Sequence, residues 1–307
     1  MKDRREFLNS LVLGGAFSLA GSKSFANEKE KKLNGKFSNK TVFITGAARG
    51  IGRQTARKFA QEGANIVMFD LGGGKKVHTV TGYEMSTTAD FEEAYQEISQ
   101  LSSGKTLKIV GDVRSRSDLA LAYEQTIKKF GNLEVVVCCA GIMVIGEHSQ
   151  TKAQEWQEVL DINLVGVSNT VYAATPHLVN NKKGKIVIVS SMLGRSSNFY
   201  SPIYIASKWG VTGLMKSLAI ELGKDNINVN AVAPSGVNTP LLKMEKGNKF
   251  FFEGVSKFLK SKHKLNVPIL ETEDVANSIV FLSGPEADCI SGITLDVSAG
   301  WTAEGLG

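Results

Sequence analysis

A tyrosine and a lysine one helical turn apart are the residues whose types and spacing most clearly allow chemistry. Tyr204 and Lys208 lie four positions apart, which places both side chains on one face of a helix. A phenol has a pKa of about 10 and is a poor base at neutral pH. An ammonium group about 4 Å away favours the phenolate by about 4 kcal/mol at an effective dielectric constant of about 20. The spacing therefore predicts a tyrosine that exchanges a proton with an alcohol or a ketone.

Ser191 is a second polar group that can reach the same substrate oxygen. It follows the apolar run 186–189, whose length and β-branched residues are typical of a buried strand. The alternative is an ordinary surface helix, because a tyrosine and a lysine at this spacing occur by chance in many proteins.

A glycine-rich turn connects the first predicted strand, 41–44, to the first predicted helix. Its residues are Thr45-Gly46-Ala47-Ala48-Arg49-Gly50-Ile51-Gly52. Gly46 permits a tight turn, Gly50 lets a pyrophosphate approach the backbone, and Gly52 lets helix and strand pack closely. The free N–H groups at the start of the helix favour phosphate. A strand, a glycine turn and a helix in this order indicate a dinucleotide site.

Asp70 ends the second predicted strand, 65–69. A carboxylate at this position can accept hydrogen bonds from ribose hydroxyls and repels a 2′-phosphate, which favours NAD over NADP. The alternative is a solvated turn residue at the end of a strand.

Strands and helices alternate along the rest of the chain. Further strands are predicted at 107–110, 133–139, 226–233 and 293–297, with helices between them. This rhythm predicts an α/β fold with one doubly wound parallel sheet of about seven strands, in a single domain over residues 37–307. The helix predicted over 154–179 carries Asn163, a polar amide that is either a satisfied core group or a functional one.

Two segments depart from this rhythm. Residues 71–88 form a polar, glycine-rich insertion, which we expect to act as a flap near the adenosine end of the site. Residues 241–268 carry phenylalanines at 250–252 and 258 among seven lysines, which predicts a mobile lid helix over the substrate.

Composition narrows the range of partners. The 307 residues are 42% hydrophobic and 21% charged with a net charge of +6, as in ordinary globular proteins. Lysines and arginines are not interleaved with aromatic residues, so we expect no nucleic-acid partner. Three cysteines and four histidines lack metal-site spacing, so we expect no metal. Adjacent Cys138 and Cys139 are expected to be buried thiols rather than a disulfide.

The N-terminus has the features of an export signal. Arg4-Arg5 precedes Phe7-Leu8, a short apolar stretch and the small-residue pattern Ser24-Phe25-Ala26. This resembles a twin-arginine signal over residues 1–26, followed by a charged leader over 27–36. It predicts a periplasmic protein that meets the twin-arginine translocase during export and has no membrane segment when mature. The alternative is a frayed basic tail.

Taken together, the glycine turn, Asn163, Ser191, the Tyr204–Lys208 pair and residues 234–239 resemble the short-chain dehydrogenase/reductase family over 37–303. The resemblance implies a Rossmann-type fold and a nicotinamide cofactor. It assigns Tyr204 as proton donor or acceptor, and Lys208 as the group that lowers its pKa and holds the nicotinamide ribose. Ser191 would polarise the substrate oxygen. Asn163 would hold a water in a proton relay from the lysine.

The same resemblance assigns a cofactor-binding set. In it, Asp112 and Val113 border adenine, while Val237 and Thr239 touch the carboxamide. The full set is Thr45, Gly46, Arg49, Gly50, Ile51, Gly52, Asp70, Asp112, Val113, Cys139, Ala140, Gly141, Tyr204, Lys208, Pro234, Gly236, Val237 and Thr239.

Three further features bear on this assignment. Cys138-Cys139-Ala140-Gly141 stands where the family usually has Asn-Asn-Ala-Gly, which puts local rigidity and cofactor affinity in question because cysteine is a weak hydrogen-bond partner. The insertion after Asp70 and the ending 298–301 resemble the carveol-dehydrogenase-like branch, which is associated with tightly held NAD. Because export moves folded proteins, we hypothesise that NAD is bound beforehand and retained. The family resemblance also implies a homo-oligomer, either a dimer or a tetramer.

The sequence thus predicts an NAD-dependent oxidoreductase that moves a hydride between nicotinamide and a secondary alcohol or ketone. The apolar pocket is expected to be walled by residues 142–150, 192–203 and 241–268, which include Ile142, Met143, Val144, Met192, Leu193, Phe199 and the phenylalanines of the lid. The same residues can equally be ordinary packing. An NADPH-dependent 3-oxoacyl reductase is an alternative that Asp70 and the export signal argue against. A dinucleotide sensor whose catalysis has lapsed is another, which the intact tetrad argues against.

Overall fold

Seven parallel strands form one sheet in a computed structural model that describes residues 35–73, 85–197, 201–243 and 249–304. The order across the sheet is β3-β2-β1-β4-β5-β6-β7. The strands are β1 (Thr41–Thr45), β2 (Asn65–Asp70), β3 (Thr106–Val110), β4 (Val135–Cys138), β5 (Gly184–Val189), β6 (Ile227–Pro234) and β7 (Thr294–Val297). The predicted doubly wound parallel sheet is confirmed.

Helices connect the strands and cover both faces of the sheet. The α-helices are α1 (Gly50–Gln61), α2 (Thr88–Leu101), α3 (Arg116–Phe130), α4 (Ala153–Leu160), α5 (Gly166–Asn181), α6 (Pro202–Gly223), α7 (Pro240–Lys243), α8 (Lys249–Lys262) and α9 (Thr272–Ser283). Among the described residues no helix has the length and apolar content needed to cross a membrane.

The core consists of two apolar layers, one on each side of the sheet. Along β1, Val42 and Ile44 contribute to the layer beneath α1, α2 and α9, whereas Phe43 contributes to the layer beneath α3, α5 and α6. This alternation follows from the period of two in a strand, and residues on both faces are apolar because helices cover both. Phe43 stacks on Tyr123 of α3 at 4.3 Å between ring centroids.

The sheet has one point where the direction of chain winding reverses. β1 pairs with β2 on one side and with β4 on the other, so the connections leave in opposite directions between β1 and β4. In open α/β sheets the crevice at the carboxyl ends of such strands is where ligands bind. The glycine turn after β1 and residues 139–141 after β4 both lie at this crevice.

The structure changes two predictions about helices. The single helix predicted over 154–179 is interrupted by a π-helical segment, Asp161–Val165, so α4 and α5 are separate helices. The lid consists of the short α7 and the longer α8, and residues 244–248 lie outside the described residues. The predicted signal and most of the leader, residues 1–34, and positions 74–84 of the insertion also lie outside them.

Candidate active site

A cavity of about 900 Å³ opens at the carboxyl ends of the strands, and most of the predicted site residues line it. Its size is that of a site for a cofactor or a drug-sized ligand. The predicted residues that line it are Gly46, Arg49, Gly50, Ile51, Asp70, Asp112, Val113, Cys139, Ala140, Gly141, Ser191, Tyr204, Lys208, Pro234, Gly236, Val237 and Thr239.

Three predicted residues lie behind the lining and support it. The Thr45 hydroxyl accepts hydrogen bonds from the backbone N–H groups of Cys139 and Ala140, at 3.0 and 3.2 Å, and so joins the ends of β1 and β4. Gly52 lies where a Cβ would be 2.1 Å from the carbonyl oxygen of Gly46. Asn163 is fully buried.

Local structure brings Ser191, Tyr204 and Lys208 together. Ser191 is the second residue after β5, and its hydroxyl accepts a hydrogen bond from the N–H of Leu193 at 3.2 Å. α6 begins at Pro202, a residue whose fixed φ suits the first turn of a helix, so Tyr204 and Lys208 lie on successive turns. Lys208 Nζ is 5.5 Å from the centre of the Tyr204 ring and donates to the carbonyl oxygen of Val189 at 2.8 Å.

Burial, rather than the neighbouring lysine, dominates the acidity of these groups. Desolvation raises the pKa of Tyr204 to about 12, against the opposing effect of a hydrogen bond with Ser191. Burial lowers the pKa of Lys208 to about 8. The charged form of each group loses its hydration, and the Lys208 ammonium donates to the carbonyl oxygen of Val189. That Lys208 lowers the pKa of Tyr204 stays a prediction.

Asn163 connects two segments of the site through hydrogen bonds. Its Oδ1 accepts from the N–H of Ile142 at 2.8 Å, and its Nδ2 donates to the carbonyl oxygen of Ile142 at 2.9 Å and to Ser207 Oγ at 3.0 Å. Both amide hydrogens are thus used inside the protein, so the side chain has no donor left for a relay water.

The glycine turn and the start of α1 fit a phosphate group. Gly46 and Gly50 have φ of +68° and +57°, a region that favours glycine. The Arg49 side chain makes no capping hydrogen bond to α1. The backbone N–H groups in the first turn of this helix, at its cavity end, therefore receive no acceptor from that side chain. A Cβ at Gly50 would lie 3.4 Å from the Thr239 side chain, so the absence of a side chain widens the cleft there.

Asp70 is held by three hydrogen bonds, one of them from a residue that sequence reasoning missed. Its Oδ2 accepts from the N–H of Ala48 at 3.0 Å, and its Oδ1 accepts from the N–H of Gly72 at 3.0 Å and from Ser86 Oγ at 2.6 Å. Ser86 lies at the end of the insertion, where a polar, unpatterned stretch gives no signal of its contacts. The carboxylate therefore joins the glycine turn to both described ends of the insertion.

Arg114 is a second missed residue of the cavity. Its Nε donates to both carboxylate oxygens of Asp112, at 3.0 and 2.9 Å, and this pair raises the pKa of Arg114. Cys138 and Cys139 are free thiols, as predicted, and burial raises the pKa of each to about 12. Burial therefore favours the neutral thiol in both residues.

The remaining wall of the cavity is apolar. Residues of the predicted wall segments that line it are Ile142, Met143, Ile145, Met192, Leu193, Leu241, Leu242, Phe258 and Leu259, and Met85 and Trp301 line it from outside those segments. Val144 instead packs with Ile142 and Ile203 in a small cluster against which Met85 lies. Phe199 and the side chains of residues 250–252 lie outside the described part of the chain.

Comparisons with known proteins agree with this geometry. The family described as short chain dehydrogenase matches residues 40–249. An uncharacterised oxidoreductase of Mycobacterium tuberculosis is 37% identical over 272 residues, which are 85% of this chain and 96% of that protein. The (-)-trans-carveol dehydrogenase of Rhodococcus erythropolis is 32% identical over 271 residues, covering 85% of this chain and 96% of its own.

A solved structure resembles the chain over almost its whole length. The carveol dehydrogenase of Mycobacterium avium in complex with NAD superimposes with a TM-score of 0.81 at 33% identity, over 88% of this chain and 99% of that one. Since sequence and fold agree over the same residues, the chain belongs to the short-chain dehydrogenase/reductase family and is an NAD(P)-dependent oxidoreductase.

Proposed function

We propose that the protein oxidises a secondary alcohol or reduces the corresponding ketone, with Tyr204 transferring the proton and NAD as the cofactor. One observation carries this proposal: Ser191, Tyr204 and Lys208 line the same cavity as the glycine turn and Asp70. Proton-transfer groups and a dinucleotide cradle thus face one ligand space. A panel of secondary alcohols and ketones, followed by the absorbance of reduced nicotinamide, tests it. Absence of turnover across cyclic and acyclic apolar members of the panel would contradict it.

The glycine turn, the first turn of α1 and Asp70 would hold the cofactor. When bound, NAD accepts or supplies the hydride. The Asp70 carboxylate, already directed by Ala48 and Gly72, can accept a hydrogen bond from a ribose hydroxyl and opposes a 2′-phosphate by charge. We therefore infer a preference for NAD over NADP. Titration of the protein with each nucleotide checks this, and equal affinities would contradict it.

Tyr204 is placed to give a proton to a ketone oxygen. With a pKa of about 12 the phenol carries its proton throughout the neutral range, which suits donation in the direction of reduction. In the direction of oxidation the phenol has to lose the proton, and the positive charge of Lys208 stabilises the phenolate. Ser191 hydrogen-bonds the phenol and can share the substrate oxygen with it.

The apolar wall supports a substrate with little polarity beyond its reacting oxygen. Met143, Met192, Leu193 and Phe258 present side chains that cannot bond further hydroxyl groups. A substrate with additional hydroxyls would lose hydration without new partners. We propose an apolar, compact secondary alcohol or its ketone.

We further propose that the protein is exported folded with NAD in place and retains it. This rests on the twin-arginine pattern and on Ser86, which bonds Asp70 from the far end of the insertion. The test is to dialyse protein purified from the periplasm and to assay its nucleotide. Protein found in the cytoplasm would contradict export. Exported protein that is empty and needs added NAD would contradict retention.

A homo-oligomer built through the long helices is also proposed. Tyr172 of α5 and Trp209 of α6 are 64% and 54% exposed, and large aromatic residues at such positions are typical of interfaces. Light scattering coupled to size exclusion measures the mass directly, and a mass of about 33 kDa would contradict the proposal.

A further inference from the structure

A hydrogen-bonded pair, the half-buried Ser235 and the buried His263, joins the end of the lid helix to the segment that follows β6. His263, the first residue after α8, is 6% exposed. Its Nε2 lies 2.9 Å from Ser235 Oγ, and its Nδ1 lies 2.7 Å from the carbonyl oxygen of Val267. Because a carbonyl oxygen only accepts, Nδ1 carries the proton in the neutral ring, and Nε2 accepts from the Ser235 hydroxyl.

Apolar contacts cover the Ser235–His263 hydrogen bond, which we call the joint. Leu259 of α8 is 5% exposed, and a Cβ on Gly236 would lie 2.2 Å from its Cδ1, so the lid packs directly on the backbone beside Ser235. Trp301 lies edge-on to Phe258, with ring centroids 5.8 Å apart, and 6.2 Å from the His263 ring. The hydrogen bonds of His263 are therefore shielded from water, and their directions are fixed.

The segment held by this joint carries two of the residues predicted to touch the nicotinamide carboxamide. Gly236 accepts a backbone hydrogen bond from Leu270 at 3.0 Å, and the N–H of Asn238 donates back to Leu270 at 2.8 Å. Val237 and Thr239 lie in this short paired stretch and line the cavity. His263 is thus connected on one side to the lid and on the other to residues 235–239.

We propose that His263 is a positioning residue for the reaction. Through its bond with Ser235 it holds residues 236–239 in the orientation that receives the nicotinamide half of the cofactor. Through its place at the end of α8 it fixes the lid over the substrate. His263 does not contact substrate or cofactor itself. This inference rests on the proposed placement of NAD in the cavity.

The position of the joint predicts a selective defect. The adenosine half of the cofactor is assigned to the glycine turn and Asp70, which His263 does not contact, whereas the nicotinamide half is assigned to residues 236–239. Loss of the Ser235–His263 bond should therefore weaken NAD by about tenfold and leave ADP-ribose, which lacks nicotinamide, within about twofold of wild type. The KM of the substrate should rise because the lid is less well fixed.

The experiment measures the dissociation constants of NAD and ADP-ribose, together with kcat and KM, for the full chain. The variants are His263→Phe, Ser235→Ala, Ser235→Thr and the double variant His263→Phe/Ser235→Ala. Ser235→Thr keeps the hydroxyl and should restore wild-type values. The double variant should be no worse than His263→Phe, because His263→Phe has already removed the bond that Ser235→Ala removes. His177→Gln is the matched control, since that histidine lies on α5 outside the cavity lining.

Three results would overturn the inference. Ser235→Ala binding NAD like wild type would show that the bond positions nothing, and this small change tests the point even if His263→Phe fails to fold. Equal losses for NAD and ADP-ribose would show general damage. Wild-type protein that binds neither NAD nor ADP-ribose would overturn the proposed function and the inference with it. If wild-type protein binds ADP-ribose, unexpected results for the variants count against the inference and not against the proposed function.

Discussion

At the scale of single residues, burial controls protonation in the cavity. Burial is the largest cause of the raised pKa of Tyr204, the lowered pKa of Lys208 and the raised pKa of Cys139. The sequence predicts which of these side chains meet, because helical spacing decides that. It does not predict their acidity, because burial depends on the strands and loops that close around them.

Lys208 is expected to lower the free energy of unfolding of the protein. A pKa of about 8, compared with 10.5 for a free lysine, means that the unfolded chain holds this proton more tightly. The difference corresponds to about 3 kcal/mol, and the bond to Val189 offsets about 1 kcal/mol of it. Lys208→Met should therefore raise the free energy of unfolding by about 1–2 kcal/mol at pH 7 while abolishing turnover.

The stability difference between Lys208→Met and wild type should depend on pH. The free energy of unfolding of the wild type increases as pH rises from about 8 to 10.5. In this range Lys208 has lost its proton in the folded protein but keeps it in the unfolded chain. The advantage of Lys208→Met should thus be full below pH 8 and absent near pH 10.5. Urea unfolding at pH 7 and pH 10 measures it, with the exposed Lys216→Met on the same helix as control. A variant less stable than wild type at pH 7 would contradict the argument.

Ser86 is expected to tune cofactor choice through Asp70. Ser86→Ala removes the 2.6 Å bond to Oδ1 and frees the carboxylate to turn, which should weaken NAD by about five- to tenfold and narrow the discrimination against NADP. Calorimetric titration with both nucleotides measures this. Ser99→Ala on α2 is the control, because its hydroxyl has no hydrogen-bond partner within the described residues. Unchanged affinities in Ser86→Ala would show that the other two bonds are enough to direct Asp70.

At the scale of elements, the glycine turn depends on close backbone contact. Gly52→Ala would place a Cβ 2.1 Å from the Gly46 carbonyl oxygen, so the start of α1 should move and NAD affinity should fall more than tenfold, with a lower melting temperature. Gly213→Ala on α6 meets no atom within 4 Å, and it should stabilise the helix by about 0.5–1 kcal/mol. Thermal unfolding and NAD titration of both variants compare them. Wild-type affinity in Gly52→Ala would contradict the close packing.

Element boundaries were predictable where the local sequence decides them. β1, β2 and β5 are apolar runs between turn residues, and α3 ends before Gly131, whose φ of +80° favours glycine. The π-helical segment around Asn163 was not predictable. Within it the Asn163 amide bonds Ile142 and Ser207, which are distant in sequence, and no local pattern records those partners.

At the scale of the whole molecule, one cavity is lined by residues from seven separate stretches of the chain. The predicted site residues come from the end of β1 with the start of α1, from the ends of β2, β3, β4, β5 and β6, and from the first two turns of α6. Parallel strands bring their carboxyl ends to one edge, so the alternating pattern of the sequence is enough to predict that these residues meet. The contacts of Met85, Ser86, Ser235 and His263 required the folded chain, because they link segments whose sequence has no regular period.

Under the proposed function the Tyr204 hydroxyl transfers the proton while the remaining lining of the cavity holds most of the dinucleotide, so one substitution can separate the two roles. Tyr204→Phe keeps the ring and removes only the hydroxyl. Turnover of the best alcohol or ketone should fall by about 10²–10⁴-fold, while the dissociation constant of NAD stays within about threefold of wild type. Retained turnover in Tyr204→Phe, with NAD bound normally, would contradict the assignment of this phenol as the group that moves the proton.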